Sequence, residues 1–140
     1  MTGFHGRWVL PTSGVLLALA TIAGALGAHA FAGHWSTNRL NVYNTAVRYQ
    51  FYQGLGLLGT GVLLRIKWLQ PDNLTSGRRW ALESCVNAPR VLFVGIVLFC
   101  GSLYALSLGA PPWVGILTPC GGALLILGWL FLAYYMWRFD

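Results

Sequence analysis

The chain is short of charge, and shorter still of acid. Only 9% of its 140 residues are charged, where a soluble domain carries about a quarter. Three acidic side chains are present, Asp72, Glu83 and Asp140, and none lies in a long apolar run. Paired carboxylates for acid–base work inside such a run are therefore excluded. The three cysteines, Cys85, Cys100 and Cys120, form no CxxC pair, which argues against a disulfide framework or a thiolate metal site. No internal repeat stands out, and no nucleophilic triad or phosphate loop can be read. Hydrolase, kinase and metalloenzyme chemistries all lack parts, so the expectation is a chain that is not an enzyme and holds no cofactor or metal.

What is present is oil. The chain is 56% hydrophobic with a mean hydropathy of +0.62. Four apolar runs occupy about 8–32, 42–64, 90–109 and 118–137, and a helix needs roughly 20 residues to cross a bilayer. The expected fold is all-α: an integral-membrane four-helix bundle of four transmembrane helices, one domain over 1–140. A cytoplasmic connection is expected at about 65–89, with "RRWALES" as a short interfacial helix within it. The first run is too long for a signal-peptide core and is expected to be retained as a span.

Orientation follows from the positive charges. Arg7, Arg65, Lys67, Arg78, Arg79, Arg90 and Arg138 fall on one side of such a bundle, and only Arg39 and Arg48 on the other. The bias places both termini and the long connection in the cytoplasm. The net charge of +6 then reflects topology and anionic lipid at the cytoplasmic face, not nucleic acid.

The stretch "YQFYQGLGLLGTG" contains Gly54-x-Gly56-x-x-Gly59, the spacing of a dinucleotide-binding turn. No strand precedes it, no acid follows at the ribose distance, and a pyrophosphate would have to enter hydrocarbon. Gly54, Gly56, Gly59 and Gly61 are better read as thinning one side of a helix for packing. Ala20, Gly24 and Ala28 form a matching small strip on the first run. Gly101, Gly121 and Gly122 offer further close approaches.

Polar groups inside apolar runs are functional candidates by default, because each is costly in lipid. Here they are His29, Asn44, Arg48, Gln50 and Gln53. Asn44 and Arg48 are spaced i, i+4, and Tyr52 shares the face of Arg48. A cluster of His29, Arg48, Tyr52 and Tyr104 in the outer half is thus expected. With every carboxylate assigned to the cytoplasmic side, Arg48 needs helix-end carbonyls, a lipid phosphate, an anion or a partner subunit. The plainer reading is that Arg48 snorkels while His29 and the glutamines tie helices together.

Four blocks then resemble a known family when taken in order: "GALGAHAF" (24–31), "NTAVRYQFYQGLGLL" (44–58), "LFCGSLYALSLG" (98–109) and "TPCGGALLILGW" (118–129). It is the small four-span family of domain of unknown function 423, which has a mitochondrial branch called transmembrane protein 256. The resemblance covers all four spans and implies a four-helix integral membrane protein with no established reaction. The family usually has His at the position of Gln53, and Ser and an aliphatic residue at those of Cys100 and Cys120. The missing histidine weakens a histidine-based metal or haem site here, and the longer central connection suggests a specialised cytoplasmic contact.

Two functions are weighed. The first is an accessory or structural subunit packed laterally on a larger membrane complex, respiratory or otherwise energy-converting, in a bacterial cytoplasmic membrane. The second is a small carrier or binding protein for a lipid, quinone or anion, built on the His29/Arg48 cluster.

Overall fold

The computed structural model describes residues 6–68 and 87–139. Among these every regular element is helical. Helix α1 spans Val9–Leu26 and runs into a wider π-helical turn, Gly27–Phe31. Helix α2 spans Thr37–Trp68, α3 spans Asn87–Ser107, and α4 spans Leu117–Phe139 after a 3-10 turn at Pro112–Ile116. Three stretches are long and apolar enough to cross a membrane: Val9–Phe31, Asn87–Ser107 and Pro112–Trp137. Helix α2 is longer than any of these but more polar, because Asn44, Arg48, Gln50 and Gln53 lower its average.

Several helix ends reach further than the apolar runs suggest, while the helical stretches ending at Phe31 and Ser107 stop short of the expected 32 and 109. Helix α2 begins at Thr37, not 42, because Ser36 caps it: the Arg39 N–H donates to Ser36 Oγ at 3.4 Å, and the Leu40 N–H donates to the Ser36 carbonyl at 3.0 Å. A serine there satisfies N–H groups that the first turn leaves free. At the far end α2 continues to Trp68, and α3 starts at Asn87 instead of 90. The interfacial helix expected in "RRWALES" lies outside the described residues. Helix α4 starts at Leu117, so Pro119 stands in its first turn, where a missing N–H costs nothing.

Helix α3 stops at a left-handed glycine. Gly109 has φ +98°, and the Ala110 and Gly109 N–H groups donate back to the Ala105 and Leu106 carbonyls at 2.9 and 3.1 Å. That is the Schellman closure. Pro111 and Pro112 follow, and neither can continue a helix.

Consecutive helices pack antiparallel. Between α3 and α4 the register is set by small residues opposite large ones. Gly128 faces Leu92, Gly95 faces Leu125, and Gly121 faces the backbone of Phe99. Between α1 and α2, Gly24 faces Val47, Gly54 faces Leu17, and Gly61 faces Val9 and Leu10. Val9, Leu57, Leu92, Ile96, Cys100 and Leu125 form a core drawn from all four helices. Leu64, Ala88 and Leu132 form a second cluster nearer one end. The start of α1, the end of α2, the start of α3 and the end of α4 therefore share one end of the bundle. The turns at 32–36 and 108–116 share the other.

The exterior is apolar. Leu19, Ile22, Leu55, Val97, Ile126, Leu130 and Trp137 are among many large hydrophobic side chains that point outward. So many large apolar side chains facing outward mark a membrane or protein contact.

Candidate functional site

On α2 the residues 43, 47, 50, 54, 57, 61 and 64 recur at alternating steps of four and three. All seven are buried, as a seam facing neighbouring helices requires. Gln50 sits in the middle of that seam, 6% exposed. Its Nε2 donates to the Leu16 carbonyl of α1 at 2.9 Å. Its Oε1 accepts from the Tyr104 hydroxyl of α3 at 2.8 Å. One amide thus joins three helices, and an amide's two ends suit one acceptor and one donor.

A second tie lies one helical turn further along. The Trp129 Nε1–H of α4 donates to Gln53 Oε1 at 2.8 Å. Its indole ring covers Gly56, where any Cβ would collide with it. A third links Ser102 of α3 and Thr118 of α4, hydroxyl to hydroxyl, at 2.7 Å. A fourth runs from the Tyr43 hydroxyl to the Ala23 carbonyl at 2.8 Å. Interhelical bonds in membrane bundles average about 0.6 kcal/mol and reach about 1.7 kcal/mol. Among the described residues no buried side-chain donor or acceptor is left unpaired.

The bundle end that carries the short turns is closed by aromatics. Phe31 stacks on Trp35 with ring centres 4.0 Å apart. Tyr43 sits edge-on to Phe31, Trp35 and Tyr104. The Arg39 guanidinium lies over Trp35 at 4.1 Å, and its Nε–H donates to the Ser107 carbonyl. Ser107 ends α3, so this cation meets the negative end of a helix dipole.

The expected outer-half cluster divides. Gln50 and Tyr104 are brought together. Gln53 joins Trp129, a partner not foreseen. Asn44 lies against α1, its Oδ1 beside Gly27. His29, Arg48 and Tyr52 are exposed, and the hydrogen bond of Arg48 goes to neither of the other two. His29 is two residues from Gly27, which faces Tyr43. Within that wider π-helical turn, two residues carry it well round from the Tyr43 side, and it is exposed. Arg48 and Tyr52 lie two residues either side of Gln50 and, at about 100° per residue, turn away from the core. Arg48 donates only to the Asn44 carbonyl of its own helix, at 3.4 Å.

The small residues divide likewise. Ala20 is fully buried, and Gly54, Gly56, Gly61 and Gly121 stand at close approaches, whereas Gly24 meets Val47 at ordinary contact distance, 3.6 Å. Gly122 meets Phe99 at ordinary contact distance, and Gly59 and Gly101 have nothing within 4 Å of where a methyl group would stand. Ala28 is exposed, and Gly27 takes its place in the strip. Seven residues bring a helix to within about 20° of its starting face, whereas eight overshoot it by about 80°.

No group of three or more His, Cys, Asp or Glu residues able to hold a metal ion occurs among the described residues. The side chains that do converge are amides, hydroxyls, an indole and a guanidinium on a carbonyl. Such a set holds helices in register.

Residues 23–122 match the family model described as protein of unknown function, DUF423. A UPF0382 membrane protein of Staphylococcus haemolyticus is 36% identical over 134 residues, covering 89% of this chain and 94% of its own length. One from Bacillus subtilis is 36% identical over 114 residues, covering 81% of this chain and 83% of its own. One from Staphylococcus aureus is 33% identical over 136 residues, covering 94% of each. No solved structure matches.

Proposed function

Because the chain belongs to the DUF423 family of membrane proteins, whose function is unknown, we propose that it is a non-catalytic accessory subunit that packs laterally on a larger complex in the bacterial cytoplasmic membrane. In this reading all four helices cross the bilayer, with both termini and the 69–86 connection on the cytoplasmic side.

The observation that carries the proposal is the use made of Gln50 and Gln53. They are strongly polar groups in mid-helix, where an interior binding site would draw its ligands. Both are engaged by Tyr104, Leu16 and Trp129 of neighbouring helices. The same engagement supports four crossings. With its glutamines turned inward, α2 offers lipid a less polar face than its composition suggests. The distribution of Arg and Lys supports the orientation, and the relatives in Staphylococcus and Bacillus support a cytoplasmic membrane.

The experiment is gentle solubilisation of native membranes, followed by native electrophoresis and mass spectrometry of the band. The proposal expects comigration with one large complex. A solitary small species retaining a particular lipid or quinone would favour the carrier reading in its place.

A further inference from the structure

The face of α2 opposite the buried seam carries Arg48, Tyr52, Leu55, Gly59 and Val62, again at steps of four and three. All five are exposed. It is not a face made for lipid alone. Arg48 is cationic, and among the described residues there is no Asp or Glu for it to pair with. Of its five N–H donors, one finds an acceptor, the Asn44 carbonyl. Tyr52 is 62% exposed. Gly59, seven residues on, has nothing within 4 Å of where a Cβ would stand, so a second helix can approach closely there.

Depth selects the partner. Arg39, stacked on Trp35, marks the outer end of the bundle, and the exposed Trp113 suits the same interface. At 1.5 Å per residue, Arg48 lies about 14 Å inward of Arg39, and Arg65 lies about 26 Å further on. Those two intervals span a bilayer with its headgroups, about 40 Å. Arg48 already bends back to the carbonyl of Asn44. That level is still about 8 Å inward of Arg39, deeper than a headgroup layer of about 5 Å, so a phosphate would have to sink into hydrocarbon to meet it. A second copy of this chain fails on charge. A two-fold contact on this face sets Arg48 against Arg48 with no carboxylate from either copy's described helices.

We infer that the Arg48–Tyr52 face of α2 docks a transmembrane helix of another protein, one bearing an Asp or Glu carboxylate at the depth of Arg48. The inference rests on the accessory-subunit reading and deepens it by naming the surface and the partner's chemistry. The carboxylate accepts from the guanidinium, the Tyr52 hydroxyl supplies a further hydrogen bond, and Gly59 lets the two backbones converge. A desolvated charge pair fixes register as well as affinity.

The test is site-specific photocrosslinking in cells that make the native partners. A benzophenone amino acid replaces Tyr52, and, as a control, Ile126, which is 63% exposed on α4. The inference expects a discrete protein adduct from position 52 and none from 126. The crosslinked peptide should lie in an apolar segment with an Asp or Glu within about one helical turn. Arg48→Glu should lower the adduct yield roughly tenfold or more, and replacing the partner carboxylate with Arg should restore it. If Arg48→Glu fails to accumulate, Arg48→Gln tests the same loss of yield, without the charge-swap rescue. Adducts at 52 with phospholipid alone, with a second copy, or with a protein whose yield ignores the charge at 48 overturn the inference. If the protein still comigrates with a large complex, the accessory-subunit reading survives that result. If it migrates alone, both fall.

Discussion

Gly121 and Gly101 place the same substitution in two opposite settings. A Cβ at Gly121 would stand 2.8 Å from Phe99 Cα, where two carbons prefer about 3.5–4.0 Å. The obstacle is backbone, so no rotamer change relieves it. Helices α3 and α4 must separate by about 1 Å, loosening the register that Ser102 and Thr118 hold. Overpacking of this kind costs about 1–3 kcal/mol, and the rigid neighbour argues for the upper end. Alanine returns about 1 kcal/mol of helix propensity. Gly121→Ala is thus expected to destabilise the protein by about 2 kcal/mol. At Gly101 a methyl meets nothing within 4 Å, so only the propensity remains, and Gly101→Ala is expected to be neutral or to stabilise by up to about 1 kcal/mol. Reversible unfolding in mild detergent, titrated with a denaturing detergent and followed by tryptophan fluorescence, reads both. Equal shifts of the same sign would show that the α3–α4 approach is not set by glycine.

Gln50→Leu removes two interhelical bonds and orphans the Tyr104 hydroxyl; the same unfolding assay should show a loss of about 1–3 kcal/mol, with Tyr104→Phe costing less and the double variant little more than Gln50→Leu alone. For Gln53 and Trp129, a double-mutant cycle with Gln53→Leu and Trp129→Phe should return a coupling of about 0.5–1.7 kcal/mol; zero coupling would mean that the indole only fills space. Arg39→Leu exposes the Ser107 carbonyl and removes the stack on Trp35, at an expected cost of about 1–2 kcal/mol, measured as faster amide hydrogen exchange in the last turn of α3.

Apolar run length was enough to find the helices, because a crossing needs about 20 residues whatever their order. It was not enough for their ends. The polar stretch before Val42 reads either as a surface turn or as a helix started from an Asn or Ser cap, and the hydrogen bond from the Arg39 N–H to Ser36 Oγ decides for the helix, which projects beyond the apolar run. The glycines of α2 are visible in the sequence, but their directions are not. Two residues turn a helix by about 200°, so Gly54 faces α1, Gly56 faces Trp129 of α4, and Gly59 faces outward. The i, i+4 spacing of Asn44, Arg48 and Tyr52 gave a shared face without saying which helix, if any, lies opposite. The seam through 43, 47, 50, 54, 57, 61 and 64 was legible, and it would have singled out Gln50 as the buried amide. Nothing in the sequence pairs Gln53 with Trp129, since that contact depends on how α4 returns across the bundle.

Four proposed crossings, with polar side chains spent between helices, are tested most directly by side-specific labelling of single cysteines in intact cells. In a background lacking Cys85, Cys100 and Cys120, cysteines at Thr2, Ser76 and Asp140 should be shielded from an impermeant maleimide until the cells are opened, whereas those at His34 and Leu108, both exposed in the turns at the other end, should react at once. Labelling of Thr2 and Asp140 from opposite faces, or of Ser76 from outside, would contradict them.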